Sequence, residues 1–358
     1  MSDTPRPDIR HTRFLDPDGK PAGELPPFAH DPAALIALHR AMTLTRAFDQ
    51  KAVQLQRSGR LGTYASSLGQ EAVGVGVAAA MRPDDVLVPS FREHGAQLVR
   101  GVSLTEMLLF WGGDERGSDF AGPHEDFPIS IPVGSHAPHA AGVALALKLK
   151  GGGRAAVCML GDGATSKGDF YEAINVAGVW SLPAVFVVAN NQWAISVPRN
   201  RQTAAATFAQ KAWAAGFEGV QADGNDAIAM RHETERALEK ARSGGGPTLI
   251  EAVTYRLADH TTADDAARYR SVDEVKAQWA NDPIARLRRY LSDAGAWSKA
   301  DEDALRADCA AQVEAAEKAY LATPPQPVTA MFDYLHATLP ADVAGQRAAA
   351  IARTGGDG

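Results

Sequence analysis

The chain has 358 residues, 45 % apolar and 22 % charged, which suits a soluble globular protein with a real core in one large or two ordinary domains. A net charge of −7 with acids and bases interspersed offers no polyanion-binding face, which sets nucleic acid aside. The two cysteines, Cys158 and Cys309, lie far apart with no disulfide framework or zinc spacing, no apolar run reaches about 18 residues, and the N-terminus has no apolar signal region, so a cytoplasmic protein without a membrane segment is expected.

Residues 1–30 are rich in Pro and poor in large apolar side chains, so they read as an extended N-terminal arm rather than a packed element. A helix opens with Asp31 as N-cap and Pro32 at its first position. Leu38, Ala41, Phe48, Ala52 and Leu55 share one face of it at helical spacing, and Ser58-Gly59 stops it. Residues 69–81 predict a small-residue helix that packs tightly, and 86–88 a short strand. Ser103 and Glu106 form a capping box that opens a helix to Trp111. A Gly- and charge-rich loop over 112–128 precedes a helix over 137–150, apolar on one side. Strand 155–160, helix 164–180 and strand 185–188 then make a βαβ unit. A helix near 207–215, a strand at 217–221, a helix over 227–243 and a strand at 248–254 continue the alternation.

That alternation predicts an α/β fold, a parallel sheet with helices on both faces, over residues 31–340. Residues 257–270 read as a polar loop, followed by a second capping box at Ser271 and Glu274. Residues 282–321 read as two amphipathic helices broken near Gly295. The Ala-rich tail, 341–358, ends in Gly-Gly-Asp-Gly and is expected to fray.

The densest signal is Gly161-Asp162-Gly163, followed 29 residues after the Asp by Asn191, the second of two adjacent Asn. One predicted strand ends at the first motif and the next ends at the second. Oxygen ligands therefore sit at the carboxyl ends of both strands, the edge at which open α/β sheets bind ligands. Neighbouring strands lie about 5 Å apart, so Asp162 and Asn191 can reach one ion. A carboxylate and an amide oxygen suit Mg²⁺, which completes its octahedron with phosphate oxygens and water. The glycines admit a phosphate, and the following helix N-terminus favours an anion. A lone Gly-Asp-Gly is also what a plain strand–turn–helix junction uses, with Asp as the cap; the paired Asn at matching distance turns the reading towards a cofactor. The pattern resembles the thiamine diphosphate motif, which holds the Mg²⁺-diphosphate of that cofactor.

The resemblance extends further. LGTYASSLGQEA, VPSFREHG, GDGATSKGDFYEAINVAGVWSLPAVFVVANNQWAIS, DGND, GPTLIEAVTYR and HTTADDAARYRSVDEV stand in the order found in the α subunit of E1, the decarboxylase of 2-oxo acid dehydrogenase complexes. Membership would imply a thiamine-diphosphate-binding α/β fold with thiamine diphosphate and Mg²⁺ as cofactors. It would also imply an α₂β₂ assembly with an E1 β subunit, and acyl transfer from a 2-oxo acid to the lipoyl group of an E2 acyltransferase. Residue by residue, it implies Asp162 and Asn191 as metal ligands, joined by the backbone carbonyl of Trp193. Gly163 and Ala164 would approach the diphosphate, and Arg92 would reach it as a charge-assisted donor. The backbone near Ile131 and Val133 would support the aminopyrimidine or thiazolium region. His260 would project towards the reactive carbon and handle protons there. Phe91 stands where the family commonly carries Tyr, so a hydroxyl contact is lost. Thr261 replaces a Ser that some members phosphorylate. The family's Glu that polarises the aminopyrimidine comes from the β subunit, so this chain is expected to supply half an active site.

Each residue has a plainer reading. Arg92 alone would be a surface Arg, Val133 a core residue and His260 a solvated loop His, with Asp264 and Asp265 as helix caps. His136 and His139 read as cavity lining or a helix start, not a metal pair. A self-contained thiamine diphosphate enzyme would need a second cofactor-binding domain for which 358 residues leave little room. A nucleotide-binding module would show a Gly-x-x-x-x-Gly-Lys-[Ser/Thr] loop or a dinucleotide fingerprint, and the sequence has neither. The segments divide between pyruvate and branched-chain enzymes, leaning to pyruvate, with acetoin dehydrogenase a further alternative.

Overall fold

The computed structural model describes residues 9–333 and 335–354. The N-terminal segment supplies a first strand, β1 (His11–Thr12), ahead of the 26-residue α1 (Pro32–Arg57), which Asp31 caps through the Ala33 amide. Next come α2 (Glu71–Ala80), β2 (Val86–Val88), α3 (His94–Arg100), α4 (Leu104–Trp111) and α5 (His136–Lys150). They lead into β3 (Ala156–Gly161), α6 (Gly168–Val179) and β4 (Ala184–Asn190). A small hairpin of β5 (Trp193–Ala194) and β6 (Val197–Pro198) precedes the one-turn α7 (Lys211–Ala214), β7 (Glu218–Asp223), α8 (Ala227–Arg242) and β8 (Thr248–Val253). Helices α9 (Val272–Gln278), α10 (Pro283–Asp293), α11 (Lys299–Ala322), α12 (Ala330–Asp333) and α13 (Ala341–Arg353) close the chain.

The six-stranded sheet runs β1-β7-β8-β4-β3-β2, and all its pairings are parallel. Parallel strands are covered on both faces, which is why β3 and β4 read as near-continuous apolar runs. Alternate side chains go to opposite layers. Cys158, Leu160, Phe186 and Val188 pack with α5 and α6; Val157, Met159, Val185 and Val187 pack with α2 and α8. Burying each such side chain stabilises the fold by about 1.5–3 kcal/mol relative to exposure. An outer group of α1, α10 and α11 adds a third cluster around Leu35, Leu38, Met42, Leu287 and Leu305. Among the described residues no helix is long and apolar enough to cross a membrane.

The expected sheet with helices on both faces is present, and four local readings are corrected. The arm over 1–30 is packed from residue 11 on: β1 extends the sheet, and Leu15 and Ala29 are buried in the outer cluster. Its few apolar side chains suffice because polar groups fix it. Asp226 accepts from the Phe14 and Leu15 amides at 2.7 and 2.8 Å, and the Thr12 hydroxyl donates to Glu233 at 2.6 Å. The helix expected from residue 69 starts at Glu71, because Gly69 sits at φ +87°, outside helical space. The helix expected over 207–215 is one turn long, ended by Gly216 at φ +78°. The tail forms α13 rather than fraying along its length, and the closing Gly-Gly-Asp-Gly lies outside the described residues.

Candidate active site

The pairing register sets Gly161 opposite Ala189, so Asp162 and Asn191 leave neighbouring strands within one residue of each other. Between them opens a cavity of about 200 Å³. It gathers Phe91, Arg92, Val133, Asp162, Gly163, Ala164, Asn191, Trp193 and His260, which are every expected site residue except Ile131. Ile131 lies in an adjoining chamber of about 480 Å³ that shares Phe91, Val133 and His260 with the first and is walled by Ala65 and Trp111. Ile131 and Val133 are half exposed, at 50 % and 45 %, so Val133 is not the core residue of its plainer reading.

Of the two Asn, only Asn191 faces the cavity; Asn190 donates to Glu251 at 2.7 Å inside the sheet. Asn191 donates to Gln70 at 3.0 Å and accepts from the Trp193 amide at 3.2 Å. Asp162 is buried, and burial pushes its carboxyl above the usual range. One of its oxygens accepts from the Gly163 amide and the other from the Gln202 side-chain amide, both at 2.9 Å. Gly163 must be Gly, because a Cβ there would meet the Ala194 Cβ at 2.7 Å. The β5–β6 hairpin therefore presses directly on the turn.

That hairpin is strained. Gln192 and Ile195 hold φ values of +72° and +55°, and a β-branched residue rarely occupies that region. Arg256, fully buried at the end of β8, holds it there: its guanidinium donates to the Trp193 carbonyl at 3.0 Å and the Ile195 carbonyl at 2.8 Å. The carbonyl of Trp193 has a second lone pair free for another partner. Arg256 also donates to the Tyr269 hydroxyl at 2.9 Å and lies 3.4 Å from His260 Nδ1.

Arg92 donates to the Ser66 carbonyl at 2.6 Å, and to His260 through Nδ1 at 2.9 Å and the backbone oxygen at 2.5 Å. A guanidinium has no acceptor, so Nδ1 is the accepting nitrogen and the proton of the neutral ring sits on Nε2. Burial and then the charges of Arg92 and Arg256 push the His260 imidazole down to about 4, so the ring is neutral near pH 7. Burial and the neighbouring Arg256 likewise push Arg92 down to about 10. Asp264 does not cap a helix. It accepts from the His260 amide at 2.9 Å and from the Tyr269 hydroxyl, while Asp265 caps the turn that follows. His136 starts α5, with Nε2 on the Met159 carbonyl at 2.8 Å, and neither it nor His139 lines the cavity. Cys158 is a small buried residue of the core.

Four lining or bracing residues escaped the sequence: Gln70, Glu93, Gln202 and Arg256. Arg256 left a signal, a guanidinium shortly after the buried strand that ends at Val253. Glu93 adjoins Arg92, and burial pushes its carboxyl up to about 7. Gln202 lies 40 residues from Asp162 on an undistinguished loop.

The residues suit a diphosphate with a divalent cation. A buried carboxylate lacks a cation. Neither Arg92 nor Arg256 pairs with a carboxylate among the described residues, and Arg256 Nε, Gln70 Nε2 and Gln202 Oε1 are buried without partners. Cation, anion and polar contacts would satisfy them together.

Residues 39–328 match the dehydrogenase E1 component family. The 3-methyl-2-oxobutanoate dehydrogenase subunit alpha of Mycobacterium tuberculosis strain H37Rv is 45 % identical over 302 residues, 84 % of this chain and 82 % of the relative. The pyruvate dehydrogenase E1 component subunit alpha of Staphylococcus aureus strain N315 is 40 % identical over 337 residues, 93 % of this chain and 90 % of the relative. The chain belongs to the dehydrogenase E1 component family, as the α subunit of the E1 enzyme of a 2-oxo acid dehydrogenase complex.

Proposed function

We propose that this α subunit binds the diphosphate of thiamine diphosphate through Mg²⁺, and that a β subunit completes the site in an α₂β₂ assembly. The single observation that carries the reading is the cavity that joins a buried Asp162 and Asn191 to Arg92 and His260, with Arg256 bracing its Trp193–Ile195 wall from outside. Asp162, Asn191 and the Trp193 carbonyl would hold the cation, and the Gly163–Ala164 backbone with Arg92 would hold the diphosphate. When bound, thiamine diphosphate supplies the carbanion chemistry that decarboxylates a 2-oxo acid. Val133 and Phe91 give the cavity an apolar wall. Nε2–H of His260 presents a proton to the 2-oxo acid or the incoming lipoyl sulfur. The adjoining chamber, with Ala65, Trp111 and Ile131, opens on His260 and suits the approach of an apolar side chain or a lipoyl arm from E2. The two buried free thiols fit a cytoplasmic enzyme.

Pyruvate is the favoured substrate, supported by the segments shared with bacterial pyruvate enzymes and by the extent of the match to the Staphylococcus protein. The apolar chamber and the 45 % identity favour a second reading, the branched-chain 2-oxo acid named for the Mycobacterium relative. The test is decarboxylation of pyruvate and of 3-methyl-2-oxobutanoate with an artificial electron acceptor, by the chain alone and with its β partner. Turnover only in the presence of β is expected. Steady turnover by purified α chain alone would overturn the shared site, and the ratio of the two rates assigns the substrate.

A further inference from the structure

Lys211, the first residue of α7, is only 7 % exposed, yet it has no carboxylate within ion-pair distance among the described residues. Its ammonium donates to the Thr165 carbonyl at 2.8 Å and to the Thr165 hydroxyl at 3.0 Å. Three aromatic rings surround it, Tyr171 at 5.0 Å, Phe208 at 5.4 Å and Phe170 at 6.0 Å from their centroids. Cation–π contacts make such burial tolerable, but a desolvated charge without a counter-ion still costs stability. The fold could fill the same space with an apolar chain at lower cost. The charge therefore points to something outside the aromatic cage.

Thr165 shows what that is. It lies in the turn Asp162–Ser166, and its hydroxyl, accepting from Lys211, donates to the Asp162 carbonyl at 2.8 Å. The ammonium thus fixes which way that hydroxyl points, and through it the backbone between Asp162 and Thr165. That backbone carries the Gly163 and Ala164 amides. We propose that Lys211 is a positioning residue for the diphosphate: it locks the 162–166 turn through Thr165 and adds a fixed positive charge behind it. The proposal rests on the thiamine diphosphate reading given above.

The test uses the full-length chain assembled with its β partner, comparing wild type, Lys211→Met, Lys211→Arg and Thr165→Val. Two quantities are measured: affinity for thiamine diphosphate in the presence of MgCl₂ by calorimetry, and the melting temperature of the cofactor-free protein. Lys211→Met removes the charge and keeps the length. It is expected to melt no lower than wild type while binding about 10–100-fold more weakly, the range for residues that orient a binding group from behind. Lys211→Arg restores most of the affinity, and Thr165→Val, which breaks the link, repeats the loss. Wild-type affinity in Lys211→Met overturns the proposal, as does a drop in melting temperature for Lys211→Met that Lys211→Arg does not reverse. Should Lys211→Met not fold, wild-type affinity in Thr165→Val overturns it equally. Failure of the wild type itself to bind would bring down the cofactor reading and this proposal together, whereas a binding wild type with an unchanged Lys211→Met removes this proposal alone.

Discussion

Two regions meet at the cavity and are held in different ways. The β3–α6–β4 unit delivers Asp162 and Asn191 from the ends of two central strands, and the ladder between them fixes their spacing. The segment after β8 delivers His260 from a loop with no ladder at all. Side chains hold that loop. Arg270 donates to the carbonyls of Arg256, Leu257 and Ala258, the last at 2.6 Å; Asp264 gathers Tyr269 and the His260 amide; and the Thr262 amide reaches the Tyr64 carbonyl at 2.9 Å. A ladder gives a rigid anchor, suited to a cofactor that stays. A loop held by guanidinium groups can adjust without melting the sheet, which would suit the role proposed for His260.

The sharpest way to break this comparison is to exchange the roles of the two regions by mutation. Asp162→Ala is expected to weaken Mg²⁺-dependent binding of thiamine diphosphate by more than about 100-fold, beyond what outer-shell changes cost. The melting temperature without cofactor should hardly fall, since the lost carboxylate is buried without a cation. Unchanged affinity in a calorimetric titration would move the anchor elsewhere. His260→Ala is expected to do the reverse: affinity stays close to wild type, while the overall rate falls by about 100- to 10,000-fold, as for loss of a proton-transfer group. A parallel loss of cofactor affinity would show that the loop is part of the anchor and erase the distinction.

A gentler test is pH. His260 and His94 are pushed down to about 4 and about 3, each chiefly by burial. Their folded values lie below those of the unfolded chain, so the unfolded state binds more protons as pH falls below about 6.5. The stability they contribute is complete above that pH and is lost progressively towards pH 4. Glu93, raised to about 7, acts oppositely: its contribution is complete below about 4.5 and declines as pH rises through 7. The melting temperature is therefore expected to fall between pH 6.5 and pH 5, and less steeply in His260→Gln. Parallel curves for wild type and variant would mean that His260 is not desolvated as the structure places it.

Local rules carried much of the fold. Apolar runs of six or seven residues, rich in Val and bounded by Gly-Asp-Gly and Asn-Asn, have the length and composition of strands buried on both faces. Asp31, Ser103 and Ser271 cap helices in the structure, because a cap is a contact over three residues, but the box expected at Ser271 is only half formed, since the Glu274 carboxylate accepts from the Tyr255 hydroxyl at 2.7 Å instead. Asp162 and Asn191 were legible for the same reason: strand ends carry them, and strand ends follow from local pattern. The rest depended on contacts across long sequence distances. Nothing in residues 1–30 shows that Asp226 and Glu233 will pin them. Nor does any periodicity bring Gln202 onto Asp162, Arg256 beneath the Trp193–Ile195 hairpin or Lys211 onto Thr165. Hydrogen bonds of that kind form only once the sheet has set its loops side by side. Local pattern specified the central strands and the motif at their edge, whereas tertiary contacts placed the edge strand β1 and chose the long polar side chains that complete the cavity, since their reach and burial exist only in the assembled fold.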